Sequence, residues 1–251
     1  MTTPTTLRLR AWEAFGRNDL RGTYRDPLLV MLVLAPAIWT VGTAVVIPRL
    51  SVALAQRYDF DLVPYYPLVV TGLLLLTSII IVGGLAAFLV LDELDAGTLT
   101  ALRVTPVSLV SYLAYRAVTV IAITTAYVVV TIPLTGLLPV SVVWPLVPIG
   151  LVAGLSSVVT MLLIVAVASN KVQGIAMLRL LGLLIAGIPC LPWFIDSAWN
   201  LAFGVLPPYW PAKAFWVACE QGTWWPYLLG GIVVNTAAGW PLLRRFVAKN
   251  T

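Results

Sequence analysis

Length without charge is the strongest constraint in this sequence. Residues 28–48, 67–91 and 143–168 each run without a charged side chain. A helix needs only about 20 such residues to cross the roughly 30 Å hydrocarbon core of a bilayer. Lipid offers no hydrogen-bond partners, and a helix satisfies its backbone groups within itself. Further apolar segments follow at about 109–136, 177–195 and 224–243, with Arg179 close enough to the inner end of its segment to reach the headgroups. Of the 251 residues 61% are hydrophobic and 10% charged, outside the range of soluble domains. The sequence therefore reads as one all-α integral membrane domain over 1–251 with six transmembrane helices and no internal repeat.

The most informative interruption is DELDAGTLTALRVTPVS, residues 92–108. Asp92, Glu93 and Asp95 form an acidic cluster, and Gly97 is free to leave helical geometry. Thr98 can cap a new turn in which Leu99 and Leu102 share a face, giving a short amphipathic helix. Thr105 as cap with Pro106 in the first helical position then starts the next spanning helix. A solvated loop between two membrane helices is the plain alternative. The order of residues, acidic cluster, Ala-Gly-Thr-Leu, Leu102, Thr105-Pro106-Val107-Ser108 and basic Arg116, resembles the permeases of ABC-2-type transporters. That resemblance implies a cytoplasmic coupling helix between the second and third membrane helices, contacting an ATP-binding subunit. It assigns ATPase coupling to Asp92, Glu93, Asp95, Gly97, Thr98, Leu99, Leu102, Thr105, Pro106 and Arg116. Arg116 stands where the family more often has lysine, a departure that keeps the charge.

Along the rest of the chain, residues 7–25 alternate apolar and arginine positions, which suits an N-terminal helix in the membrane interface or, alternatively, a basic tail that fixes orientation. The family resemblance favours the interfacial helix. Thr2 to Pro27 is polar and arginine-rich, unlike a signal sequence, so the first apolar run is expected to stay in the membrane. Asp26-Pro27 reads as cap and first turn of the first helix, and Pro36 as a kink within it. Residues 49–66 read as an outer loop, and 169–174 as a second inner loop before a helix over 177–195 broken at Pro189 and Pro192. Residues 196–222 are rich in tryptophan and proline and read as short broken helices at outer headgroup depth, or as an ordinary loop with an aromatic belt. Their Pro207-Pro208-Tyr209-Trp210-Pro211 element resembles the short outer helical element of these permeases, and Tyr-Trp-Pro-Ala-Lys resembles members that export drugs, fluoroquinolones among them. Of the 15 lysines and arginines, Arg49, Arg57 and Lys213 fall on outer segments and the other twelve on inner ones, so both termini are expected in the cytoplasm.

The sequence disfavours several function classes. There is no histidine and there are two cysteines, Cys190 and Cys219, which removes the usual zinc and haem arrangements. Both cysteines fall near the outer face, and free thiols are expected because nothing fixes their separation. The formal charge of +5 reflects membrane topology and points to no nucleic acid. The ten carboxylates lie in or beside the loops, away from mid-membrane, which disfavours ion coupling. No GxxxxGK[ST] stretch is present, so ATP hydrolysis by that route requires a partner.

The resemblance implies an exporter of amphiphilic, drug-like or lipid-like substrate in the bacterial cell (inner) membrane. Two cytosolic ATP-binding subunits would carry ATP and magnesium, and a second permease chain, identical or related, would complete the pathway among the membrane lipids. No cofactor, metal or catalytic residue is expected on this chain. Two other classes stay open: a membrane-embedded lipid-modifying enzyme in which Asp92, Glu93 and Asp95 hold a divalent cation, and an assembly factor without transport.

Overall fold

The structure, a computed structural model, describes Gly16 and residues 27–97, 109–195 and 197–250. The expected interfacial helix over 7–25, apart from Gly16, and the expected coupling helix after Gly97 lie outside the described residues.

Helix α1 spans Pro27–Tyr58. It runs on through Pro48 and Arg49, where the sequence suggested a loop, because the Ala, Leu, Gln and Arg that follow favour helix and a single proline removes only one backbone donor. Asp59 ends it at φ 53, with the Phe60 N–H reaching the Leu54 carbonyl at 3.4 Å. This is a left-handed cap of the kind that closes many helices.

Helix α2 spans Val63–Asp95, entering through a 3₁₀ turn at Val63–Tyr65, passing through a π segment at Thr71–Leu76 and finishing as α-helix over Thr77–Asp95. The acidic cluster expected in a loop is thus the last turn of a helix, since nothing breaks the chain before Gly97. Helix α3 (Leu109–Leu134) and helix α4 (Val143–Val167) match the expected spans closely.

Helix α5 starts at Lys171, within the expected inner loop. Asn170 accepts from the Gln173 N–H at 3.0 Å while Gln173 Oε1 accepts from the Ser169 N–H at 2.9 Å, a reciprocal cap that fixes the start. The helix continues through a π segment at Leu183–Gly187 and becomes 3₁₀ at Ile188–Phe194, where Pro189 and Pro192 withhold donors. A 3₁₀ stretch Ala198–Val205 leads to helix α6 (Tyr209–Cys219), and helix α7 (Trp225–Asn250) ends the described chain.

The described elements are all helical, and α1 to α5 are the five helices long and apolar enough to cross a membrane. The expected sixth, α7, is a continuous helix, but its Trp, Tyr, Asn and terminal basic residues leave it less apolar. Helices α2 and α4 form the centre: Val70, Leu74, Leu75, Ile79, Ile149 and Ile164 are fully enclosed. Around them the outward faces are apolar too, with Met31, Ile38, Val41, Leu134 and Leu183 all more than 60% exposed. In water such faces would drive association, whereas in lipid they cost nothing.

Glycine sets the closest approaches. A Cβ on Gly154 of α4 would lie 2.7 Å from Ile121 Cα of α3, and one on Gly83 of α2 would lie 2.7 Å from the Ser157 carbonyl oxygen of α4. Between these contacts Thr124 Oγ1 donates to Ser157 Oγ at 3.0 Å, so α3 and α4 are joined by both packing and a buried hydrogen bond. Interior apolar surface gains little by leaving lipid, and this close small-residue contact is what holds membrane helices together.

Candidate functional site

The last turn of α2 carries Asp92, Glu93 and Asp95 at the end where the helix dipole is itself negative. Left alone, three carboxylates there would destabilise the helix end. Two neighbouring helices supply the missing positive charge.

From α3, Arg116 reaches back so that Nη2 lies 3.0 Å from Glu93 Oε1. Its side chain is only 2% exposed and that of Glu93 12%, so the pair is shielded from water. Arg116 Nε donates to the Tyr112 hydroxyl at 3.0 Å, and the guanidinium lies 5.3 Å from the centre of the Tyr112 ring and 5.9 Å from that of Tyr115. A planar, permanently charged fork can serve a carboxylate, a phenol and two ring faces at once, which an ammonium cannot. Gly16 also lies at this corner, since a Cβ on it would lie 3.5 Å from the Tyr115 hydroxyl.

From α5, Lys171 Nζ meets Asp92 Oδ2 at 2.8 Å. This pair is more open, with the Asp92 side chain 41% exposed and that of Lys171 23%. Its electrostatic contribution is correspondingly more screened. Asp95 faces outward and is exposed.

Gly97 adopts φ 68 just beyond the helix, after the Ala96 and Gly97 N–H groups have bonded the Asp92 and Leu94 carbonyls at 2.9 and 3.1 Å. Space around it is open, so glycine is required for conformation and not for packing. Thr98, Leu99, Leu102, Thr105 and Pro106 lie outside the described residues. The structure thus brings Asp92, Glu93 and Arg116 together, and it adds two residues that sequence reasoning missed as partners. The sequence marks Lys171 only as a loop charge, although Asn170 with Gln173 three positions on is a legible helix start. Tyr112 had no signal beyond standing one turn before Arg116.

Because Asp92 and Glu93 are each drawn to a different cation, they do not converge as a divalent-cation site would require. Among the described residues, no group of three or more Cys, Asp or Glu side chains is placed to hold a metal ion.

The opposite end of the bundle holds the aromatic element. Pro207 and Pro208 turn the chain into α6, whose Tyr209 and Pro211 are buried, so the element is folded into the bundle and is not an open loop. Trp210 Nε1 donates to the Gly204 carbonyl at 2.8 Å, and its indole rests on Gly230 and Gly231 of α7. Trp216 Nε1 donates to Thr71 Oγ1 at 2.7 Å, at the first residue of the π segment of α2, and its ring meets that of Trp193 edge-on at 5.2 Å. Cys190 and Cys219 are free thiols. Burial, aided by the neighbouring Glu220 charge, pushes the Cys219 thiol up to about 12, leaving it protonated and weakly nucleophilic at neutral pH.

The sequence pattern of the family described as "Fluoroquinolones export permease protein Rv2686c-like" matches residues 19–243. Two curated relatives are similar over nearly their whole length. Both come from Mycobacterium tuberculosis: the Fluoroquinolones export permease protein Rv2686c of strain ATCC 25618 / H37Rv and the Fluoroquinolones export permease protein MT2760 of strain CDC 1551 / Oshkosh. Each is 68% identical over 241 residues, covering 96% of this chain and 96% of the relative. No solved structure matches the chain.

Proposed function

The chain belongs to the Rv2686c-like family of fluoroquinolones export permeases, and on that premise we propose that it is the membrane-spanning subunit of an ATP-driven exporter of ABC-2 type. It moves amphiphilic, drug-like molecules outward, fluoroquinolones among them, and a separate cytosolic subunit binds ATP with magnesium and hydrolyses it. The observation that carries this reading is the charged end of α2. Two ion pairs fasten that end to α3 and α5 immediately before the 98–106 segment, so a push delivered there has a mechanical path into the spanning helices. In this reading the acidic end and both termini face the cytoplasm, α6 lies at the outer face of the cell membrane, and α7 crosses as a sixth span. Two copies of the ATP-binding subunit act on a pair of permease chains, this one and an identical or related second.

The energy source separates this reading from ion-coupled transport. In inside-out vesicles containing the permease and its ATPase, uptake of a fluorescent fluoroquinolone is expected to need ATP and to persist when proton and sodium gradients are collapsed, because the described carboxylates lie at or just beyond helix ends. Glu93→Ala and Gly97→Val are each expected to lower ATP-driven uptake, the first by removing the carboxylate that joins α2 to Arg116 and the second by forcing a β-branched residue to a left-handed φ, at about 1–2 kcal/mol. Uphill uptake by the permease without its ATPase, driven by an ion gradient, would overturn the proposal.

A further inference from the structure

We propose that Lys171 is a positioning residue of the export cycle, tying α5 to the acidic end of α2 so that the two helices move as one body. The proposal rests on the ATP-driven reading above and adds the route by which motion reaches α5.

The geometry behind it extends well past one ion pair. Lys171 Nζ lies 2.8 Å from Asp92 Oδ2 at the acidic end. One turn further along α5, a Cβ on Gly174 would lie 2.7 Å from Leu91 Cδ1 and 3.2 Å from Phe88 Cε1 of α2. Deeper still, a Cβ on Gly84 of α2 would lie 2.8 Å from Leu178 Cδ1 of α5. Glycine alternates between the two helices, and each lets the other helix lie flush, so the halves Thr77–Asp95 and Lys171–Gly182 pack as a continuous antiparallel pair. Both helices leave α geometry where this pair ends. The π segments Thr71–Leu76 and Leu183–Gly187 begin there and touch each other. Such segments loosen the regular hydrogen-bond ladder and mark places where a helix bends. The charged pair thus stands at the driven end of a rigid unit, and the two π segments at its far end.

Glycine packing keeps the helices close and limits their sliding register by shape, although the nearest atoms it meets are the ends of flexible leucine side chains that can give. An ion pair has a distance optimum of a few ångströms and does fix it. Asp92 and Lys171 are thereby assigned a mechanical role that their partly exposed pair could not fill through stability. Arg116 and Glu93 hold the same end to α3.

The test uses the intact transporter in inside-out vesicles with a fluorescent fluoroquinolone and ATP. For Lys171→Ala, the maximal uptake rate per inserted transporter is expected to fall about fivefold to tenfold, the range of coupling changes along a mechanical path, while the half-saturating drug concentration stays within about twofold. Lys171→Arg retains the charge and is expected to stay within about twofold of the parent. The exchanged pair Asp92→Lys with Lys171→Asp is expected to recover part of the rate lost in either single variant, which a role confined to folding of the surface would not produce. Parent-like uptake by Lys171→Ala overturns the proposal, as does an exchanged pair that inserts normally and recovers nothing. Parent uptake that proceeds without ATP overturns the ATP-driven reading and this inference with it, whereas ATP-driven uptake indifferent to Lys171 overturns this inference only.

Discussion

Replacing Arg116 with alanine is expected to be the most damaging single change in the protein. It leaves Glu93 charged and shielded from water, and it removes the donor to the Tyr112 hydroxyl and the cation over two aromatic rings. Removing one partner of a buried ion pair costs about 3–5 kcal/mol, because the other charge loses its counter-ion. Thermal unfolding of the purified protein in detergent should show a large loss, and less of the protein should reach the membrane. Arg116→Lys should fall between the two, keeping the charge while losing the fork. The paired substitution Glu93→Leu with Arg116→Met separates stability from transport. Apolar residues of similar volume often replace a buried ion pair without loss of stability, so the double variant should recover much of the unfolding temperature. It should not recover export, since the link between α2 and α3 would no longer fix their register. A double variant that exports normally would show that this pair serves folding alone.

Gly154→Val is expected to have the second largest effect, through a different cause. The new Cβ would lie 2.7 Å from Ile121 Cα and 3.1 Å from the Ile121 carbonyl oxygen, so the obstacle is backbone and no side-chain rotation relieves it. Helices α3 and α4 must separate, which also stretches the Thr124–Ser157 hydrogen bond of 3.0 Å. Overpacking of this kind costs about 1–3 kcal/mol or more where rigid atoms collide. Gly182→Ala supplies the contrast: nothing lies within 4 Å of a Cβ there, so alanine should be neutral or stabilising by up to about 1 kcal/mol. Unfolding temperatures of the two variants measured side by side should move in opposite directions or, for Gly182→Ala, not at all. A mild effect of Gly154→Val would mean that α3 and α4 are held by other contacts.

Much of the fold was legible in the sequence because bilayer length and missing charge are one-dimensional properties. The spans of α3 and α4 follow from where polar residues stop and start, and the left-handed turn at Gly97 follows from glycine standing after the acidic cluster. Boundaries that depend on a cap or on continuation were less legible. Helix α1 passes Pro48, and α5 begins at Lys171, because local propensity and the Asn170 cap outweigh the polar character that suggested loops.

What the tertiary structure alone decided is which helices are central and which charges meet. Runs such as Leu73–Leu76 in α2 and Leu32–Leu34 in α1 are equally apolar in sequence. Lipid tails and protein interiors are equally good surroundings for leucine, so hydropathy cannot tell an enclosed helix from a lipid-facing one. Helices α2 and α4 are enclosed because Gly83, Gly150 and Gly154 let neighbouring backbones approach, while α1 keeps most of its apolar surface outward. The ion pairs follow the same logic: Asp92 and Lys171 stand 79 positions apart, and Glu93 and Arg116 stand 23 apart. Charge at helix ends could be read from the chain, but the pairing of those charges depends on helix neighbours, and close packing in three dimensions sets which helices are neighbours.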